Sequence, residues 1–192
     1  PQIEIRVAES ASRTILERIE RRVHDMGVIR YHAPVPSSIF MAPIHGDTYM
    51  AALPSTHPKA RARRLRLKDL AQDTFIMPSA HANPSLYNSI LSACLQAGFE
   101  PKSVNAGEQT QQAYTMLALV ESGFGVCLVP QVWRRMAPSD VILKPLSGQV
   151  RVRTGLALVC RADALSPVRR RLIELARQAE ALIQKDRRER LK

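Results

Sequence analysis

Residues 119–130 read LVESGFGVCLVP, and this stretch combines the end of a helix, a turn and a buried strand. Apolar side chains at helical spacing lead to Gly123, and glycine is a common residue at the end of a helix. Gly125 to Val129 is an apolar run that ends at Pro130, which is typical of a short buried strand. The stretch therefore predicts a helix that turns directly into a strand.

The same alternation of strands and helices continues outward in both directions. Upstream, residues 75–77 (FIM) form a short strand. Asn83 and Pro84 then predict the start of a helix, because Asn is a favoured N-cap and Pro fits the first helical position. Downstream, further apolar runs read as strands before a last helix that begins at Ser166. This order predicts an α/β fold with a mostly parallel sheet and helices on its faces.

The N-terminal part of the chain predicts one more strand and helix. Residues 3–7 alternate apolar and polar side chains, which is the period of a strand with one buried face. Ser10, Ser12 and Thr14 follow and offer hydroxyl groups that would cap the next helix. Residues 31–47 contain several prolines and a glycine, so we expect them to be mostly loop.

Polar side chains mark the places where predicted strands give way to helices. These helix starts follow Val7, Met77 and Val104, and they are rich in Ser, Thr and Asn, with Thr110 as the candidate cap of the third helix. A helix N-terminus presents free N–H groups and the positive end of the helix dipole, so it favours anions. The sequence therefore predicts a small-anion site where these helix starts converge.

Composition indicates a basic protein of one or at most two domains. The 192 residues include 28 Lys and Arg against 17 Asp and Glu, which gives a formal net charge of +11. Such a charge attracts nucleic acid, anionic lipid or small anions. The three cysteines and five histidines show no disulfide framework and no metal-ligand spacing, so we predict no metal and no cofactor. No run approaches the length of a membrane span, and no phosphate-binding loop or nucleophile elbow is present.

The basic segment, residues 59–68 (KARARRLRLK), holds six positive side chains and no acid. A nucleic-acid surface is one interpretation of such a run. The segment has no interleaved aromatic residues and no recognition helix, so we expect a solvated surface instead.

Five blocks of sequence, in this order and spacing, resemble the effector-binding domain of LysR-type transcriptional regulators. They are residues 25–30 (DMGVIR), 53–58 (LPSTHP), 67–70 (LKDL), 75–77 (FIM) and 119–130. The resemblance covers nearly the whole chain. Residues 75–91 (FIMPSAHANPSLYNSIL) further resemble regulators of aromatic-compound degradation, which respond to benzoate- or muconate-like carboxylates.

The resemblance implies a fold like that of type II periplasmic binding proteins, with two α/β subdomains joined by two crossing strands and a ligand cleft between them. Residues 1–53 and 161–192 would form the first subdomain, and residues 54–160 the second. The crossing strands would lie near residues 49–53 and 156–160. Relatives carry a winged helix-turn-helix, a linker helix and one more strand and helix ahead of Pro1, so we expect the chain to be part of a longer protein.

The resemblance also implies a set of effector-binding residues. Hydroxyl and amide side chains at helix starts would contact the effector, a cationic side chain would hold its carboxylate, and an aromatic side chain lies near the floor of the cleft or packs in the core. These residues are Ser10, Ser12, Arg30, Ser79, His81, Asn83, Thr110 and Phe124.

The function implied is ligand sensing in the cytoplasm. A small anion, aromatic or dicarboxylic, would bias subdomain closure and so reposition DNA-binding domains. The domain would pair with a second copy through residues 2–7 and 111–122, giving a dimer of this domain and a tetramer of the full-length protein. Two other interpretations remain open at this point. A solute-binding protein of a transport system would share the fold, and a related enzyme would need catalytic residues that the sequence does not show.

Overall fold

The computed structural model describes residues 4–31, 35–81, 83–105, 113–148 and 152–189. In chain order its helices and strands are α1 (Ser12–Glu20), β1 (Gly27–Tyr31), β2 (Ile39–Pro54), β3 (Thr74–Met77), α2 (Pro84–Gln96), β4 (Lys102–Asn105), α3 (Ala113–Glu121), β5 (Cys127–Pro130), β6 (Val141–Pro145), β7 (Arg153–Arg161) and α4 (Pro167–Glu189). Short 3₁₀ turns lie at Leu67–Leu70, Gln131–Arg135 and Ala162–Ala164.

The chain divides into two compact units. The first unit comprises Pro1–Gly46 and Gly155–Lys192, and the second comprises Asp47–Thr154. Both divisions fall inside long strands, since β2 and β7 each contribute residues to both units. The subdomain limits expected from the sequence, after residues 53 and 160, lie at the far ends of the same two strands.

In the first unit, β1 pairs antiparallel with β7, from Gly27 opposite Val159 to Tyr31 opposite Gly155. The apolar side of α1 packs on this pair of strands, and Ile19, Ile29 and Val159 are buried together. Val23 lies beyond Glu20, the last residue of α1, and its side chain is exposed.

In the second unit, β3 pairs parallel with β4, while β2 pairs antiparallel with both β5 and β6. Successive side chains of a strand point to opposite faces, and β3 is buried on both. Phe75 and Met77 belong to the cluster that includes Ile90 of α2, whereas Ile76 belongs to the cluster that includes Leu117 of α3. Both clusters therefore meet at β3.

Three predictions about the fold are wrong for the described residues. The sheet is not mostly parallel, because the ladders that involve β2 and β7 in the two units are antiparallel. Residues 39–47 are not loop but the first half of β2, in which Pro43 and Gly46 are both exposed. Strands accept proline where no ladder hydrogen bond is needed. Residues 4–7 form no strand, and Val7 is 91% exposed, because no described strand pairs with them to bury the apolar face.

The close packing of the second unit against β3 requires glycine at position 125. A Cβ atom there would lie 2.2 Å from the Thr74 carbonyl oxygen of β3, and the φ angle of +154° disfavours larger residues. The same carbonyl accepts a hydrogen bond from the Val126 N–H at 2.8 Å, which fixes the close approach. The helix–turn–strand stretch at 119–130 is thus held against β3 by backbone contacts.

We expect Gly125→Ala to lower the free energy of unfolding by more than about 1 kcal/mol, because the new methyl group has no space. In a thermal melt this corresponds to a fall of at least ~2–4 °C for a chain of this size. Gly46→Ala is the matched control, since nothing lies within 4 Å of a Cβ atom there. Equal melting temperatures for the two variants would contradict the prediction.

Candidate functional site

Two predicted site residues of the first unit, Ser12 and Arg30, lie next to each other. Ser12 is the first residue of α1, and Arg30 is near the end of β1. The backbone N–H of Arg30 donates a hydrogen bond to the Ser12 Oγ at 3.2 Å. The packing of α1 on β1 therefore brings the Ser12 hydroxyl group to the backbone of Arg30.

The guanidinium group of Arg30 has an unusual environment. Its Nη1 atom is buried and has no hydrogen-bond partner among the described residues. Burying a charged donor without an acceptor costs free energy, and the great majority of buried polar atoms are paired. An anion that reached this nitrogen would supply the missing acceptor, and arginine binds carboxylates through a planar fork of donors.

The predicted helix caps at Ser10 and Ser12 are wrong. The N-cap of α1 is Ala11, which has no side chain able to accept a hydrogen bond. The Ser10 Oγ instead accepts a hydrogen bond from Arg18 at 3.1 Å, and the Ser12 Oγ is used by Arg30. Longer-range donors compete for both hydroxyl groups, so the N-terminus of α1 lacks a side-chain cap.

In the second unit, the residues that follow β3 turn directly into α2. Ser79 is buried, with 7% of its surface exposed, and its carbonyl accepts a hydrogen bond from the Asn83 N–H at 2.9 Å. The Asn83 Oδ1 accepts from the Leu86 N–H at 3.2 Å, and Pro84 is the first helical residue. The predicted cap at Asn83 is thereby confirmed. His81 lies in the same turn and is exposed.

The other two predicted site residues differ from these. Thr110 lies outside the described residues. Phe124 is 61% exposed, between Gly123 and Gly125, which both have positive φ angles. A packing role for Phe124 is therefore wrong, because the glycine-flanked turn directs it away from the core of its unit.

Two histidine–carboxylate pairs were not predicted from the sequence, because their partners are distant along the chain. The His45 Nδ1 lies 2.5 Å from Glu180 of α4, and the His57 Nε2 lies 3.0 Å from Asp73. The His57 Nδ1 accepts a hydrogen bond from the Lys59 N–H, which leaves Nε2 to donate to Asp73. In the described part of the chain, no group of three or more His, Cys, Asp or Glu residues is placed to hold a metal ion.

Comparison with known proteins assigns the family. Residues 1–181 match the family described as the LysR substrate binding domain. The chain belongs to this family. The match, together with the α/β elements above, confirms the predicted type II periplasmic-binding-protein-like fold.

Individual relatives of this LysR substrate binding domain are distant. The HTH-type transcriptional regulator AlsR of Bacillus subtilis (strain 168) is 24% identical over 177 residues, which cover 92% of this chain and 57% of that protein. The BenM effector binding domain with its effector benzoate is 21% identical, with a TM-score of 0.75, covering 92% of this chain and 78% of that one. The effector binding domain of QuiR in complex with shikimate is 17% identical, with a TM-score of 0.71, covering 90% and 79%.

The chain spans about half the length of the curated relatives it matches. Several of these relatives are named as HTH-type transcriptional regulators, so the matched part is the LysR-type effector-binding domain. None of the helices in the described ranges is long and apolar enough to cross a membrane.

All three cysteines of the LysR domain, Cys94, Cys127 and Cys160, are buried and form no disulfide. Burial raises the pKa of Cys94 to about 12 and raises the pKa of Cys127 further. Burial also raises the pKa of Cys160, although nearby Arg169 opposes the shift. The thiolate is the reactive form of cysteine, so burial and a raised pKa both predict low reactivity of these thiols in the folded domain.

We expect the folded chain to react very slowly with a thiol-specific disulfide reagent at pH 8, because its thiols are both buried and protonated. The measurement follows release of the chromophore from the reagent in buffer. The same chain in denaturant is the control and should titrate three thiols at once. A fast reaction of even one thiol in the folded chain would contradict the prediction.

Proposed function

We propose that this domain binds a small anionic effector, an aromatic or dicarboxylic acid, and so controls the DNA binding and transcription of a longer LysR-type regulator. The observation that carries the proposal is the buried, unpaired Nη1 of Arg30. A protein retains such an unfavourable group when a ligand completes it, and a carboxylate is the anion that best fits a guanidinium fork.

The surroundings of Arg30 support an anion rather than a neutral ligand. The Ser12 Oγ accepts a hydrogen bond from the Arg30 backbone N–H, and the N-terminus of α1 has no side-chain cap. Uncapped N–H groups and the helix dipole add positive potential at the α1 N-terminus, which contacts the Arg30 backbone. We assign Arg30 the role of binding the effector carboxylate, and Ser10 and Ser12 the role of hydroxyl contacts.

The second unit contributes the turn between β3 and α2 to this proposal. Ser79 is the buried polar residue of that turn, and Asn83 fixes the direction of the following helix. We assign Ser79, His81 and Asn83 to effector contacts, together with Thr110 and Phe124. We further propose that the two units act as the two regulatory subdomains of the family.

The relatives support the chemical class of the effector. Two structural neighbours are effector-binding domains in complex with benzoate and with shikimate, which are both cyclic carboxylates. These neighbours favour an aromatic or related cyclic acid, which is the subgroup that residues 75–91 resemble.

The regulatory role extends the proposal to partners. We propose that a helix-turn-helix ahead of this domain binds DNA, that the protein acts in the cytoplasm, and that it has no catalytic activity. We also propose that the domain pairs with a second copy through residues 2–7 and 111–122. Ile5, Val7 and Tyr114 support this pairing, since all are largely exposed apolar side chains. A transport role is the weaker alternative, because the curated relatives are named as regulators.

A thermal melt of the chain with benzoate or cis,cis-muconate tests the effector class. A ligand that binds only the folded state at a hundredfold excess over its Kd stabilises by about 2.7 kcal/mol, or roughly 5–11 °C here. Benzamide is the matched control, because it keeps the ring and lacks the charge. If neither acid raises the melting temperature more than benzamide does, the carboxylate proposal is wrong.

Two substitutions separate binding from folding. We expect Arg30→Met to leave the ligand-free melting temperature unchanged or higher, because it removes a buried unpaired donor. It should weaken effector binding by about tenfold to a hundredfold, the cost of a hydrogen bond to a charged group. Ser79→Ala should also weaken binding.

Arg21→Met is the control for the Arg30 variant, since it removes an exposed positive charge from the same unit. Binding constants come from isothermal titration calorimetry with the acid found in the melt. A large loss of stability in Arg30→Met with unchanged binding would show that Arg30 is structural instead.

A further inference from the structure

The basic segment, residues 59–68, is a surface of fixed geometry. All six of its positive side chains are exposed. The apolar residues between them face inward, and Ala60, Leu65 and Leu67 are buried in the second unit. The alternation of buried and exposed residues places every cation of the segment on the solvent side.

Hydrogen bonds hold the backbone of the basic segment in place. The N–H of Ala60 donates to the His57 carbonyl at 2.8 Å, and that of Ala62 donates to the Lys59 carbonyl at 3.0 Å. Farther along, the Ser147 N–H donates to the Leu65 carbonyl at 2.7 Å. The Nζ of Lys144 donates to the Ala62 carbonyl at 3.0 Å and adds a seventh positive charge beside the segment.

Nearby acids leave most of these charges unpaired. Asp69 pairs with Arg66 at 3.1 Å, and the Arg66 backbone N–H is the main cause that holds the pKa of Asp69 below its usual value. Asp73 is hydrogen-bonded to His57. Within the described residues, no carboxylate forms an ion pair with the remaining five cations of the segment, which are Lys59, Arg61, Arg63, Arg64 and Lys68.

We propose that the basic segment binds the phosphodiester backbone of duplex DNA. Protein interfaces are anchored by apolar and aromatic side chains, and the segment exposes none of these. Contacts to DNA phosphates are made mainly by Arg and Lys and need no apolar anchor. This inference rests on the proposed function, because that function brings the chain close to DNA bound by another domain of the regulator.

Binding of this kind is independent of DNA sequence. The segment consists of turns and the 3₁₀ turn Leu67–Leu70, so it presents no helix to a groove. The contacts would therefore add affinity and orient the domain along the duplex, whereas base recognition belongs to the helix-turn-helix.

The test is fluorescence anisotropy of the 192-residue chain with a labelled duplex of mixed sequence, at salt concentrations from about 50 to 200 mM. We expect binding whose logarithm falls linearly with the logarithm of salt concentration. The triple variant Arg61→Ala, Arg63→Ala, Arg64→Ala should weaken binding and reduce the slope by roughly 0.9 for each arginine removed.

The matched control is the triple variant Arg170→Ala, Arg171→Ala, Arg177→Ala, which removes the same charge from exposed positions on α4. It should change binding far less. Equal losses in both variants would reduce the effect to net charge and overturn the proposal, as would no binding at all or equal affinity for polyglutamate.

Melting temperatures check that each variant is folded. Because the substituted arginines are exposed, we expect both variants to melt close to the unsubstituted chain. Effector binding of the basic-segment variant, measured by the same melt as above, keeps the two proposals apart. In that variant, weaker DNA binding with normal effector binding supports this inference. In the unsubstituted chain, effector binding without DNA binding overturns only this inference, and DNA binding without effector binding overturns only the effector proposal.

Discussion

Two backbone hydrogen bonds to β3 fix the arrangement of the second unit. The Val126 N–H donates to the Thr74 carbonyl, and the Ile76 N–H donates to the Val126 carbonyl, both at 2.8 Å. They form only because Gly125 lets the two backbones approach. With β4 on its other side, β3 is locked between α2 and α3 and buried on both faces. Ser79 follows the carboxyl end of this strand, the end at which α/β folds commonly bind ligands.

Arg30 shows a different balance in the first unit. The antiparallel ladder of β1 and β7 and the packing of α1 stabilise the unit. The buried, unpaired guanidinium nitrogen of Arg30 lowers that stability, because its hydrogen bonds to water are not replaced. Buried polar atoms without partners are rare in native proteins, so the cost points to function rather than to folding. Ser12 gains its role from the same packing, since its hydroxyl accepts the Arg30 N–H instead of capping α1.

Local signals in the sequence predicted what local forces determine. Asn83 and Pro84 specified the start of α2, and the glycine and proline of residues 119–130 specified the turn and the end of β5, because caps and turns act within a few residues. Most of the failures involve partners outside the local segment. The first half of β2 was read as loop since its partner strands lie far along the chain. Ser10 and Ser12 were read as caps since Arg18 and Arg30 reach them only in the folded unit.

The positive charges behind the net charge of +11 differ in burial, and burial determines how each of them attracts an anion. Arg30 is partly buried, and its inaccessible Nη1 lies at a lower dielectric than bulk water, where salt screens less. The exposed cations of the basic segment act in water, are screened at physiological salt, and gain strength only when many phosphates are bound together. The first situation suits recognition of one small acid, and the second suits a polymer of repeating charge. A single basic domain can therefore respond to an effector and contact DNA without the two anions competing for the same residues.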